Sequence, residues 1–195
     1  MSRNKFYSEN NERNKQKSTF ENYNDFLVSL NMKAEIKPFS DIYIDRITQL
    51  INKTNQFNLT TKRYKLNEIE EISLSEKFIT LYGKLNDKFG DNGIVSLIIC
   101  EIQKKTVKID SWIMSCRVFS RDLEITIFNK LVSNIKKIDA KYLIGEYYKT
   151  EKNIIVKNLY KELGFKCVKK RKDYSKWSLN LEEYKLKENN NIKIF

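Results

Sequence analysis

Residues 106–118 read Thr-Val-Lys-Ile-Asp-Ser-Trp-Ile-Met-Ser-Cys-Arg-Val, and after four residues the chain continues with Leu123 to Ile138 and then Tyr142-Leu143-Ile144-Gly145. The first run is rich in β-branched and aromatic residues and reads as a strand. In the second, Leu123, Ile127, Leu131, Ile135 and Ile138 recur at helical spacing, with Ile125, Phe128 and Val132 beside them. That pattern predicts a helix ending near Lys137. The third run is short and mostly apolar, as expected of a strand buried on both faces. A helix of this length returns the second strand parallel to the first. The unit places the chain among α/β proteins, with a mixed central sheet flanked by helices.

Upstream, Phe78 to Tyr82, Ile94 to Gln103 and Thr106 to Val118 form a predicted meander. Gly90-Asp91-Asn92-Gly93 reads as its first turn and Lys104-Lys105 as its second. Before it lie a short helix over Leu66 to Leu74 and a polar segment over 52–63 that carries Phe57 and Leu59. A further helix opens near Ser40-Asp41, where either side chain could cap it. An alternating strand from Lys33 to Phe39 comes first, with Pro38 suiting its end or a sheet edge. Residues 1–31 read as an N-terminal helical arm, with Phe6 and Tyr7 as isolated anchors and a helical stripe of Phe20, Tyr23, Phe26, Leu27 and Leu30.

Downstream, Ile154 to Leu163 reads as a helix stopped by Gly164. Strands at Phe165 to Val168 and Trp177 to Leu181 follow, and residues 183–195 read as a frayed tail. The main domain thus spans 32–182. No internal repeat is visible.

The 195 residues are 41% hydrophobic and 12% aromatic, enough for one domain with a real core and too apolar for overall disorder. The longest nearly unbroken apolar run, Ile94 to Cys100, is seven residues and includes Ser96, far short of a membrane span. The polar start, Met1-Ser2-Arg3-Asn4-Lys5, leads into no hydrophobic signal region. The expected location is the cytoplasm. Three scattered cysteines and no histidine exclude a disulfide framework and leave no metal expected. Ser-His-Asp and Cys-His catalytic sets are excluded on the same ground. Net charge is +12, but 30 lysines stand against 7 arginines. Lysine is the poorer choice for bidentate phosphate or guanine recognition. The charge therefore reads as solubility, with no nucleic-acid partner expected.

The segment Asn153-Ile154-Ile155-Val156-Lys157-Asn158-Leu159-Tyr160-Lys161-Glu162-Leu163-Gly164-Phe165 resembles the N-x-x-A-x-x-L-Y-E-K-L-G-F segment of GNAT acyltransferases, and the element order is also theirs. Four blocks are similar to the FkbH-like family in the right order. They are Asn55-Gln56-Phe57-Asn58-Leu59-Thr60-Thr61-Lys62-Arg63-Tyr64, Asp87-Lys88-Phe89-Gly90-Asp91-Asn92-Gly93, Ser115-Cys116-Arg117-Val118, and Gly145-Glu146-Tyr147 leading to Lys152-Asn153. Those proteins join a HAD-type domain to a GNAT-like one and are associated with methoxymalonyl-acyl carrier protein biosynthesis. No DxDxT-type motif of the HAD half is present in this chain. The resemblance implies an acyltransferase-like domain acting on a thioester of coenzyme A, such as acetyl-CoA, or of a carrier protein's phosphopantetheine. A HAD-type partner is also implied.

In the GNAT fold two parallel strands, here 108–118 and 142–147, splay apart and take the pantetheine arm between them. The resemblance puts Ser115, Cys116, Arg117 and Val118 on one lip, Glu146 and Tyr147 on the other, and the pyrophosphate at Ser120 and Arg121. Families of this type place glycines at that turn, where backbone must approach phosphate and adopt positive φ. Ser120 and Asp122 suit neither, and a carboxylate about 4 Å from a phosphate charge costs roughly 4 kcal/mol at an effective dielectric near 20. Ser120 also reads as a helix cap.

Tyr160 corresponds to the tyrosine that protonates the leaving thiolate, with a packed core aromatic as the alternative. Asn153 corresponds to a pantetheine contact, with an ordinary N-cap as the alternative. Glu146 is the candidate base, its pKa raised by burial, or else a partner of Arg117. Cys116 reads as an acyl carrier beside Arg117 or, more simply, a buried strand cysteine. Asn55, Gln56, Phe57, Asn58 and Thr60 read as the acceptor side of the cleft, or as a self-satisfied loop. The cation run 169–172 reads as a solvated hairpin or a dock for an acidic carrier. A second reading keeps the architecture and removes the chemistry: a carrier-docking scaffold without coenzyme A binding.

Overall fold

The structure is a computed structural model that describes residues 3–195, with side chains from residue 8 onward. Phe6 and Tyr7, read as anchors, therefore lie outside the described side chains. The chain opens with helices α1 (Arg3–Lys17) and α2 (Tyr23–Ser29), then strand β1 (Met32–Lys37). Helix α3 (Ile44–Lys53), the two-residue strand β2 (Phe57–Asn58) and helix α4 (Leu66–Leu74) come next. The meander is β3 (Phe78–Asp87), β4 (Gly90–Gln103) and β5 (Thr106–Met114). Helix α5 (Leu123–Ile135) leads to β6 (Tyr142–Tyr148), a short α6 (Leu159–Glu162), β7 (Lys166–Lys170), β8 (Tyr174–Asn180) and β9 (Ile192–Ile194). One sheet runs in the order β7-β8-β6-β5-β4-β3-β1-β9, and β2 pairs with β5 off that path.

Alternation along β5 divides two cores. Trp112 faces a large cluster with Phe128, Leu131, Leu143 and Tyr160, while Ile113 faces a smaller one with Ile47, Leu50, Ile51 and Ile69. α5 and α2 cover the first face, α3 and α4 the second. Trp112 stacks on Phe128 with ring centroids 5.8 Å apart, a contact that seats α5 against the C-terminal half of β5.

Several expectations are corrected. The first meander turn falls at Lys88-Phe89; Gly90 to Gly93 belong to β4 and form a bulge, where Gly93 takes φ +67°. The helix near Ser40 begins as a 3-10 turn over Asp41–Tyr43, and Ser40 makes no side-chain cap bond. The helix expected over 154–163 is a 3-10 turn, Ile154–Val156, followed by the single turn of α6. It ends as expected: Gly164 adopts φ +92°, and Phe165 N–H donates to Tyr160 O at 2.9 Å. The tail is not frayed. β9 pairs in parallel with β1, Ile192 is buried, and Tyr184 packs edge-on against Phe128. The N-terminal stripe packs on its own domain: Phe26, Leu27 and Leu30 join the large core. Among the described residues no helix is long and apolar enough to cross a membrane.

Candidate functional site

β5 and β6 pair in parallel only at Thr106–Tyr142, Val107–Leu143 and Lys108–Ile144. Beyond Lys108 the strands diverge, β5 running on to Met114 and β6 to Tyr148. β4 holds one edge of β5 up to Met114, so the other edge faces the gap. β2 takes that edge, antiparallel, pairing Phe57 with Met114 and Asn58 with Ile113. From its other side Leu59 O accepts Tyr148 N–H at 2.9 Å, and Asn58 O accepts Asn153 Nδ2 at 2.8 Å. Thr60 Oγ1 donates to Asp110 O at 2.8 Å. The chain's own residues 57–60 thus lie between the splayed strands and use the backbone groups there.

The local sequence explains why. Phe57 and Leu59 are buried in the large core, and Phe57 meets Trp112 edge-on with centroids 5.7 Å apart. Asn58 is buried too, its Oδ1 accepting Thr61 N–H at 2.8 Å. Arg63 donates to Ile51 O, Thr54 O and Asn55 Oδ1, closing the C-terminus of α3. Lys62 and the Tyr64 hydroxyl both reach the Asp110 carboxylate. Of the five residues expected on the acceptor side, Phe57, Asn58 and Thr60 are buried in this strand insertion. Asn55 and Gln56 alone are exposed.

Asn153 is fully buried and is the latch of the insertion. Besides Asn58 O, its Nδ2 donates to Tyr148 O at 2.9 Å, while its Oδ1 accepts Thr150 N–H at 2.8 Å and the Tyr147 hydroxyl at 3.1 Å. It stands at an N-cap position but makes no side-chain cap bond. Tyr160 is 1% exposed, and its hydroxyl donates to Glu146 O at 3.4 Å. Burial pushes that hydroxyl's pKa far above the ordinary phenol value. The ring lies on Gly145, where a Cβ would come within 2.3 Å of it.

Glu146 runs against expectation. Burial pushes its pKa up, but Lys108 at 2.8 Å and the Tyr174 hydroxyl at 2.8 Å outweigh it and hold the carboxyl below its ordinary range. Its ion-pair partner is Lys108, not Arg117. Neither residue has the protonation behaviour of an acid–base pair working near neutrality.

The turn into α5 is also closed by the chain itself. Ser120 and Asp122 both adopt left-handed backbone, φ +60° and +61°. This conformation costs a residue with a Cβ roughly 1–2 kcal/mol. The turn keeps a glycine geometry without glycines. Asp122, not Ser120, is the N-cap, without a side-chain cap bond. Its Oδ2 accepts Asn191 Nδ2 at 2.8 Å and its carbonyl accepts Asn189 Nδ2 at 2.9 Å. The Tyr23 hydroxyl donates to Ser120 O at 2.7 Å. Arg121 is buried and turns inward to Asp87, at 2.9 Å, a carboxylate it shares with Arg13 at 2.7 Å. Burial, then the charge of Arg13, lower the Arg121 pKa. A coenzyme A pyrophosphate does not fit these residues: the carboxylate of Asp122 and the tail stand where it would sit, and Arg121 points away.

What the fold leaves open lies at the other end of the splay. A cavity of about 770 Å³ is walled by Arg46, Gln49 and Lys53 of α3, by Asn55 and Gln56, by Ser115, Cys116 and Arg117 past the end of β5, and by Glu151 and Lys152. It brings together Ser115, Cys116 and Arg117 of one expected lip with Asn55 and Gln56 of the expected acceptor side; Glu146 and Tyr147, expected on the other lip, do not line it. Cys116, expected to be a buried strand residue, is exposed here on a 3-10 turn; the buried cysteine is Cys100. Val118 points into the core. Arg46 and Lys53 were missed in the sequence because they read only as the polar face of α3.

No family model matches the sequence, and no curated protein matches it. Similarity appears in three dimensions. Arabidopsis thaliana NAA60, solved with a bisubstrate analogue, superposes with TM-score 0.60 at 12% identity, over 76% of this chain and 99% of that one. The Escherichia coli ribosomal-protein-S18-alanine N-acetyltransferase gives 0.59 at 11%, over 76% and 94%. PaiA N-acetyltransferase from Thermoplasma acidophilum, in complex with coenzyme A, gives 0.59 at 13%, over 76% and 99%. The fold is that of the GNAT acetyltransferases. At these identities the likeness establishes the fold alone.

Proposed function

We propose that this chain is a GNAT-fold domain of the FkbH-like type that recognises a thioester-bearing acyl carrier protein, without transferring an acyl group through the usual slot. The observation that carries this reading is the insertion of residues 57–60 between β5 and β6, where backbone groups otherwise left for a pantetheine arm are already paired. The covered turn at 120–122 and the fully buried Tyr160 agree with it. The ordered sequence blocks support the link to carrier-protein chemistry and to a HAD-type partner.

A second reading has its own support. The strands do part, and Tyr160 lies beside the gap with its hydroxyl on Glu146 O. An acyltransferase would result if residues 55–61 left the splay when the thioester arm arrived. Titration of holo-carrier protein and acetyl-CoA, together with a thiol-release assay over a panel of amines, separates the two. Carrier binding that persists in Tyr160→Phe, without thiol release by the unaltered chain, supports the recognition domain. Thiol release abolished by Tyr160→Phe overturns it in favour of the enzyme.

A further inference from the structure

We infer that the cavity between α3 and the end of β5 is a binding site for a phosphate-bearing small molecule, with Arg46 and Arg117 as its principal anion contacts. Among the described residues, four cationic side chains, Arg46, Lys53, Arg117 and Lys152, line it against the single acid Glu151. These cations come from three separate stretches of chain, so the fold gathers them into one concavity. Like charges held this way repel, and an anion placed among them turns that repulsion into attraction. The repulsion has a signature: after burial, the charge of Arg117 is the next cause lowering the Arg46 pKa.

The charge surplus sets the chemical class. One carboxylate would offset one cation, whereas a phosphate monoester carries roughly −1.5 to −2 and presents three acceptor oxygens. Guanidinium forks suit that geometry. Gln49, Asn55, Gln56 and Ser115 add uncharged polar groups along the same wall. A volume of about 770 Å³ is that of a small-molecule site. The phosphate could arrive free, as a phosphorylated metabolite, or as the phosphoryl end of a phosphopantetheine arm. The site is separate from the closed turn at 120–122, and the inference holds whether or not a carrier protein binds.

The test uses the full chain, calorimetry at low salt, and three probes: inorganic phosphate, phosphopantetheine and dephosphorylated pantetheine. Phosphate and phosphopantetheine should bind and pantetheine should bind at least tenfold more weakly. Arg46→Gln and Arg117→Gln should each weaken the two phosphate probes about tenfold, while Lys105→Gln on the β4–β5 hairpin, at the opposite end of β5, should change them less than twofold. Phosphopantetheine binding much tighter than phosphate identifies the arm as the source; equal affinities identify a free phosphate compound. Alkylation gives a second readout, because Cys116 lines the cavity and exposed Cys167 does not. Phosphopantetheine should slow modification of Cys116 severalfold and leave Cys167 unchanged. Equal binding of all three probes, an equal loss in Lys105→Gln, or no selective protection of Cys116 overturns the site. Failure of carrier binding with these results intact would sink only the carrier reading.

Discussion

The splay between β5 and β6 and the turn into α5 are two parts of one track in GNAT folds, and this chain closes each by different means. In the splay the closure is interior: a backbone ladder, two core side chains, and a buried asparagine with every polar atom in use. At the turn the cover is superficial, made by side-chain amides from the tail and a phenol from α2. A cover of surface hydrogen bonds, each worth about 0.5–1.5 kcal/mol net, can lift without unfolding the domain. A strand seated in the core cannot leave without exposing Phe57 and Leu59. The slot is built in, whereas the turn is only capped.

The contrast can be broken most forcefully at Phe57. Phe57→Ala should cost about 3–5 kcal/mol by denaturant unfolding, as for any large buried aromatic; a loss below about 1 kcal/mol would mean that the insertion is loosely held. Asn153→Ala should cost about 2–3 kcal/mol, since it leaves the carbonyls of Asn58 and Tyr148 without their side-chain donor, and should speed amide hydrogen exchange at Tyr148 and Thr150 selectively. On the surface side, Asn191→Ala should cost under about 1 kcal/mol and leave exchange in the splay unchanged. The smallest effect concerns pH. Glu146 is held below its ordinary carboxyl range in the folded state. Its contribution is therefore complete above the unfolded-state value and lost as pH falls through the folded one. Glu146→Gln should lower the neutral plateau of a stability–pH curve slightly and flatten its acid limb.

Much of the architecture is legible in the sequence because it rests on periodicity. The run 106–145 gives strand, helix and parallel strand directly, and the structure keeps all three. What escapes is set by contacts between distant segments. β2 is two residues long inside a polar stretch, too short for any alternation to register; its one signal is Phe57 and Leu59, spaced as a buried strand face among amides. The 183–195 tail is polar and reads as frayed, yet three residues of it find the open edge of β1. Glu146 is recognisable as a carboxylate on a central strand, but which cation meets it depends on register, and Lys108 stands across from Ile144, two residues away. The left-handed backbone at Ser120 and Asp122 is hidden because neither residue type announces it.

The convergence of both chain ends on one turn has a practical consequence. Tyr23 from the beginning of the fold and Asn189 and Asn191 from its end hold residues 120 and 122 of one turn, and Asn24 bonds Asn191 directly at 3.2 Å. A protease cut or a bulky fusion near residue 190 would therefore loosen the start of α5 from about seventy positions away in sequence. Tags are better carried elsewhere, on the solvent-facing hairpin between β7 and β8.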